Sequence, residues 1–237
     1  MTIAYFDCFS GIAGDMILGA FIDLGMDFNF FKKEIKKLNI DGYEIKIKKI
    51  KKNSYDATDV QIYVKQNQPY RTFNDIMKII DGSTLTEEVK QLSKKIFYNL
   101  AKAESIVHKV DLEDVHFHEV GAIDSIIDIV GFAIGINHFK VTKVYCSSLP
   151  LGTGFVICQH GKMPVPAPAT KQLLKSIPTY NLDSGHEMVT PTGAAVIKTI
   201  AEGFGEMPSM KIKNVGYGAG KIQSSQPGVL RVYLGEM

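Results

Sequence analysis

Apolar residues recur along this chain in two rhythms, and each change of rhythm marks a new element. Ile3-Ala4-Tyr5-Phe6 is an unbroken apolar run of strand length, and it leads through Asp7-Cys8-Phe9-Ser10-Gly11-Ile12-Ala13-Gly14-Asp15 to an apolar helix carrying Met16, Leu18, Phe21 and Leu24. The pattern predicts a buried strand, a glycine turn and a helix. Ile35 and Leu38 put Lys32, Lys33, Lys36 and Lys37 on the wet side of a further helix. Ile45 and Ile47 alternate with Glu44, Lys46 and Lys48 at the period of two that a half-buried strand requires. Residues 43–50 and 58–65 form two strands of a hairpin closed by Asn53-Ser54-Tyr55-Asp56.

Pro69 marks the next boundary. Phe73 to Ile80 fits a short helix, Thr84 and Glu87 fit a capping box, and Val89, Leu92, Ile96, Leu100, Ala103 and Val107 trace a long amphipathic helix ending near His108. Together they predict a helical hairpin over about residues 70–110. Ile123, Ile126, Ile127 and Val130 predict another helix, and Val141 to Cys146 a strand. Pro164, Pro166 and Pro168 make a stiff, extended loop ahead of a helix at Lys171 to Leu174. Thr190 as cap with Pro191 at the first helical position starts a helix through Ala194, Ala195, Val196 and Ile200, whose N-terminus is a seat for an anion. Gly216-Tyr217-Gly218-Ala219-Gly220 permits close approach of backbone to a ligand, and Val229 to Leu234 closes with a strand. The fold class expected is α/β, with mixed sheets, glycine-rich strand-to-helix turns and an inserted helical hairpin, as a single unit over residues 1–237; strand order does not follow from the pattern.

Composition narrows the function classes. A formal net charge of +2 with 22% charged residues gives no global attraction to nucleic acid or an anionic membrane. Lys32, Lys33, Lys36, Lys37, Lys46, Lys48, Lys49, Lys51 and Lys52 could draw in a polyanion, but their alternation with apolar positions reads as solvated faces. Cys8, Cys146 and Cys158 are an odd set without CxxC spacing, which fits a reducing compartment. The N-terminus lacks the charged-apolar-small order of a signal peptide, and the apolar run from Ile129 to Ile136 is too short to span a bilayer. A cytoplasmic protein is expected; a homo-oligomer is left open.

Candidate chemistry is concentrated between Val115 and Gly131, where His116, His118, Glu119, Asp124 and Asp128 interrupt an otherwise apolar stretch. His116 and His118 share one face of a strand, and Asp124 and Asp128 share one face of a helix, so a divalent metal or a phosphate-bound metal is a natural occupant. Structural readings stand beside this: Asp124 as a cap, Asp128 near the positive helix end, and the histidines as ordinary core or surface residues. The turn from Asp7 to Asp15 aims amide groups from a helix start at an anion, with Asp7 and Asp15 able to hold a cation or merely to cap the turn. It lacks both the Gly-Lys-Ser/Thr of a Walker loop and the three-glycine dinucleotide fingerprint. His160 and Lys162 sit on the stiff proline loop, either as site residues or on a plain connector.

Five segments in order, residues 7–16, 116–131, 160–170, 190–195 and 216–220, resemble the nickel-insertion proteins of the lactate racemase cofactor pathway, the LarC family. The resemblance runs the length of the chain. It implies a metallo-chelatase that places nickel into a pyridinium bisthiocarboxylate mononucleotide, forming a nickel–carbon bond and nickel–sulfur bonds with hydrolysis of CTP. On that resemblance His116 and His118 are expected to donate nitrogen to nickel, with Glu119, Asp124 or Asp128 as an oxygen ligand or as the acceptor that orients an imidazole. Asp7, Ser10, Gly11, Gly14 and Asp15 would seat the nucleotide phosphate, and His160 would accept the proton lost by the ring carbon. Cys8 is left out of the site as a small half-buried thiol. Complete family members resemble a fusion of this region with a C-terminal domain associated with manganese, or magnesium, and CTP, so this chain is expected to be the N-terminal component and to need that domain as a separate chain. A non-catalytic nickel chaperone and a metal-dependent phosphohydrolase remain alternatives.

Overall fold

The computed structural model of the chain describes residues 1–65, 71–117, 122–158, 161–222 and 226–237. The first elements follow the predicted order: β1 (Thr2–Asp7), α1 (Gly14–Asp23), α2 (Phe28–Lys36), and the antiparallel hairpin β2 (Tyr43–Lys52) and β3 (Tyr55–Val64). That hairpin is longer than its sequence pattern indicated, because the turn tightens onto Asn53, which takes a left-handed φ of 52° that asparagine tolerates. Next come β4 (Arg71–Thr72), α3 (Phe73–Asp81), α4 (Glu87–His108), β5 (His116–Phe117), α5 (Ile123–His138) and β6 (Val141–Cys146). The remainder is β7 (Leu149–Leu151), β8 (Phe155–Cys158), β9 (Gly161–Pro164), α6 (Pro168–Leu173), β10 (Thr179–Asn181), α7 (Pro191–Ile200), β11 (Ala201–Phe204), β12 (Lys211–Ala219) and β13 (Val229–Glu236).

Seven strands form one mixed sheet in the order β11-β6-β1-β13-β12-β3-β2. β1 is flanked on both sides, parallel to β6 and antiparallel to β13, which is why its apolar run is continuous rather than alternating. Helices α1, α5 and α7 pack against the sheet, and α4 lies outside them against α5, α6 and α7. Sandwiched between sheet and helix, α5 is apolar almost all round, burying Ile123, Ile126, Ile127, Ile129, Val130 and Phe132. The hairpin of α3 and α4 thus supplies the outer helical layer.

Three local readings are corrected. The capping box belongs to α3, where the Thr72 hydroxyl accepts from Asp75 N at 3.2 Å and the Asp75 carboxylate accepts from Thr72 N at 3.0 Å. Thr84 does not cap α4, because Ser83 turns its hydroxyl onto Ile80 O at 2.6 Å, Leu85 is buried, and the helix starts only after Thr86. The proline stretch is not one extended loop: Lys162 to Pro164 belong to the β8–β9 hairpin, a cis Val165–Pro166 bond follows, and α6 begins at Pro168. Finally, Gly216 and Gly218 approach not a ligand but the backbone of α1. A Cβ on Gly218 would overlap the Met16 carbonyl oxygen and stand 2.6 Å from Ala20 N.

That contact is backbone against backbone, so no side chain can swing away to relieve it. Gly218→Ala should lower stability by about 3 kcal/mol, as overpacking of a closed interface does. The check is a urea titration at unchanged slope; a midpoint equal to wild type would refute the packing account.

Candidate functional site

Three helix starts meet at one end of the sheet. The approach to α1 and the approach to α7 are tied by a short parallel bridge, Ile12 N donating to Met188 O at 2.8 Å and Thr190 N to Ile12 O at 3.1 Å. Thr190 caps α7 by accepting from Gly193 N at 3.2 Å, whereas Ala13 and Ala122, ahead of α1 and α5, offer no side-chain cap. The third start is fixed by Gly14, whose Cβ, if it had one, would fall 2.5 Å from Asp128 Cβ and inside its carboxylate. The turn beyond β12 closes the ring: Gly220 N donates to Gly228 O at 2.9 Å, Gly228 N to Ser10 Oγ at 2.7 Å, and Lys52 Nζ to Ile222 O at 2.9 Å and also to Gly220 O.

These elements enclose a cavity of about 300 Å³ lined by Ser10, Gly14, Asp15, Asp124, Ser125 and Asp128, by His186, Glu187, Thr190 and Thr192, and by Lys221. Its electrostatics are dominated by carboxylates removed from water. Asp15 accepts from Met16 N at 2.8 Å and faces Lys221 Nζ at 3.2 Å. Burial raises its pKa above the usual carboxylate range, against the pull of Lys221. Asp124 accepts from Ser125 N at 2.8 Å, the bond expected of an acid in the first helical turn. Asp128 is pushed well above the ordinary range by burial first and then by the charges of Asp15 and Asp124. Its Oδ1 is closed off from solvent without a hydrogen-bond partner among the described residues. Burial acts to lower Lys221, but Asp15, Asp128 and Asp124 outweigh it and hold the ammonium above its usual value.

Of the residues singled out in sequence, Ser10, Gly14, Asp15, Asp124 and Asp128 are thus brought to one cavity. Gly11 stands behind it in the turn, with φ of 93° and its N–H on Cys8 O at 2.8 Å. Asp7 is held instead by Arg231, at 2.5 Å and 3.1 Å, directly across the β1–β13 ladder. His116 is exposed on β5 and does not line the cavity. His118, Glu119 and His160 lie outside the described residues. Cys8 is fully buried 3.6 Å from the Cys146 sulfur, and burial pushes its thiol pKa up.

The sequence reading missed Ser125, His186, Glu187, Thr192 and Lys221. Lys221 directly follows the glycine segment and His186-Glu187 lies just two residues before the Thr190 cap of α7, so both had a positional signal, though no periodic one. His186 Nδ1 lies 2.7 Å from Ser184 O. A carbonyl only accepts, so Nδ1 carries a proton, and in the neutral ring Nε2 is the nitrogen with the free lone pair. Among the described residues, no three of His, Cys, Asp and Glu converge as a ready metal cage, and no helix is long and apolar enough to cross a membrane.

The cavity brings helix-start residues, four carboxylates (Asp15, Asp124, Asp128 and Glu187) and a lysine to one volume of an α/β fold, a lining chemically suited to an anionic group and a cation together. The chain belongs to the nickel insertion protein family, whose model matches residues 4–237. It is 52% identical over 246 residues to the pyridinium-3,5-bisthiocarboxylic acid mononucleotide nickel insertion protein of Acetivibrio thermocellus, covering 99% of this chain and 60% of that relative. It is 44% identical over 237 residues to the protein of the same name from Desulfitobacterium hafniense, covering 100% of this chain and 59% of that relative. The chain spans about three fifths of the length of the curated relatives it matches. No solved structure matches it.

The raised Asp128 has a consequence for stability. Below about pH 3.9, the unfolded value, the carboxyl is neutral in both states and contributes nothing. As pH climbs from there through the raised folded value, ionisation costs the folded state more than the unfolded one, and above it the penalty is complete. Asp128→Asn should therefore be more stable than wild type at pH 7, by on the order of 1 kcal/mol, with the gain vanishing near pH 3. Thermal melts across that range test it; a destabilised variant at pH 7 would contradict the assignment.

Proposed function

We propose that the cavity receives pyridinium-3,5-bisthiocarboxylic acid mononucleotide and that nickel is set into it there. In that step Ni²⁺ takes the place of a proton on the ring carbon and accepts electron pairs from two thiocarboxylate sulfurs. The observation that carries this reading is the shared lining: the amides of three helix starts and Lys221 suit the nucleotide's anionic groups, while Asp124 and Asp128 suit a cation arriving beside them. The names borne by the relatives support the same choice of substrate.

Ser10, Gly14 and Asp15 form the substrate edge of the proposed site, Asp15 acting through its hold on Lys221. His118 and Glu119 as nickel donors and His160 as acceptor of the ring proton enter the proposal on sequence grounds alone. His116, outside the cavity lining, is left out of it. CTP, with manganese or magnesium, is assigned to a separate C-terminal domain that would act with this chain.

Two experiments bear on this. Incubation of the chain with nickel, the mononucleotide and CTP, with and without the C-terminal part of a relative, should yield the nickelated product by mass spectrometry only when both parts are present. Metal binding without product under any condition would favour a chaperone, and phosphate released from simple nucleotides by the chain alone would favour a phosphohydrolase. Separately, Lys221→Ala should weaken binding of the mononucleotide by about tenfold or more, the worth of one charged hydrogen bond. Calorimetry reads the effect, and wild-type affinity would remove Lys221 from the site.

A further inference from the structure

The three aspartates of the cavity are not equivalent. Asp15 has a backbone amide and Lys221, and Asp124 has the Ser125 amide. Asp128 Oδ1 has no hydrogen-bond partner among the described residues. A buried acceptor left in this state is costly and uncommon in native proteins, and a bound ion is one of the reasons for it. The same cavity is lined by His186, an imidazole held as metal-binding imidazoles are held. His186 commits its Nδ1–H to the Ser184 carbonyl at 2.7 Å, which fixes the tautomer and leaves Nε2 as a donor of electrons.

The backbone beneath that ring is pinned from several directions. The Ser184 hydroxyl donates to His186 O at 2.7 Å, and Gly185 N donates to Thr153 Oγ1 at 3.1 Å. The Thr153 hydroxyl in turn donates to Asp183 Oδ1 at 2.7 Å. Gly152 packs so closely on the same strand of chain that a Cβ there would overlap His186 O. A donor fixed in this way loses little entropy when it takes a ligand.

We propose that His186 Nε2 and the Asp128 carboxylate are donors to a divalent cation in this cavity, the remaining positions being filled by other donors of the site, substrate atoms and water. One nitrogen with one oxygen suits nickel, zinc or copper, whereas magnesium would prefer oxygen alone. The inference rests on the reading that a metal is handled here, and it places an imidazole donor seventy positions beyond His116, which does not line the cavity. Lys221, facing the same acids, holds part of their charge in the meantime and must share them with an incoming cation.

The test is titration of the whole chain with Ni²⁺ alone, followed by pulsed EPR with Cu²⁺ in its place. His186→Asn keeps a donor for the Ser184 carbonyl and removes Nε2, so it separates ligation from folding; Asp128→Asn does the same for the oxygen. Each should weaken Ni²⁺ by tenfold or more, the range seen when a metal's surroundings lose a member, with melting points near or above wild type. The imidazole nitrogen coupling of bound Cu²⁺ should vanish in His186→Asn. Undiminished Ni²⁺ affinity in His186→Asn, a surviving imidazole signal, or a loss seen with His116→Ala instead would overturn the proposal. Failure of the nickel-insertion reading is distinguishable, since it would appear as tight, His186-dependent Ni²⁺ binding with no nickelated product in any combination.

Discussion

The direct contact of the α1 backbone with β12 is the constraint from which the site follows. Gly218 and Gly216 let the strand lie against Met16 and Ala20 with no side chain between them, and Gly19 on the helix meets Thr58 and Gly218 in the same way. Because α1 is pressed onto β12, Lys221, two residues past the strand's end, arrives beside Asp15 in the helix's first turn. Asp23 at the far end of α1 accepts from Tyr217 N at 2.9 Å and from the Thr58 hydroxyl at 2.9 Å, so the register of helix on sheet is fixed at both ends. A side chain inserted at Gly218 would separate the ion pair as well as the layers.

On that frame the electrostatics are a balance of opposites. Helix starts favour negative charge, and three of them point into one volume, which is why Asp15 and Asp124 can stand in first turns and bond their own helices' amides. Yet three aspartates and Glu187 line the same cavity, and one lysine cannot neutralise them all. Asp128, on α5, takes the largest share of this repulsion, and its Oδ1 has no hydrogen-bond partner among the described residues. Helix geometry makes this unavoidable: Asp124 and Asp128 are four apart, so whatever aims one at the cavity aims both.

That four-residue spacing is also why this half of the site was legible in the sequence. The apolar positions of α5 fix which face is buried, and the acids fall where the face meets the cavity. Strand β1, the hairpin of β2 and β3, α7 with its Thr190-Pro191 start, and β6 were legible for the same reason, since each is a periodic segment bounded by turn residues. Two errors share a different cause. A glycine run signals that something comes close, but it does not say whether that is a ligand or a helix; at Gly216 and Gly218 it was a helix. Thr72 with Asp75 and Thr84 with Glu87 are equally good capping boxes on paper, and tertiary burial of Leu85 decided between them. His186 carries no periodic signal at all, because a loop residue reaches its site through bonds to Ser184 and Thr153 rather than through the phase of an element. His116, by contrast, had the right spacing for a strand, but the described part of that strand, His116–Phe117, pairs with β4, and His116 does not line the cavity.

A cavity that accepts an anion on its amides and a cation on its acids couples the two. An anion entering alone meets four carboxylates, and a cation entering alone meets Lys221 and the positive ends of three helices. Bound together, each neutralises what opposes the other, so each must raise the affinity of its partner by the same factor. Lys221 lies where the acidic cavity adjoins a second one lined by Lys51, Lys52 and Asn53, so a cation that displaced it from Asp15 would leave it for the anionic partner. On the proposed reading, metal and nucleotide would be held far better as a pair than singly, which is the property required of a site where one is to be joined to the other.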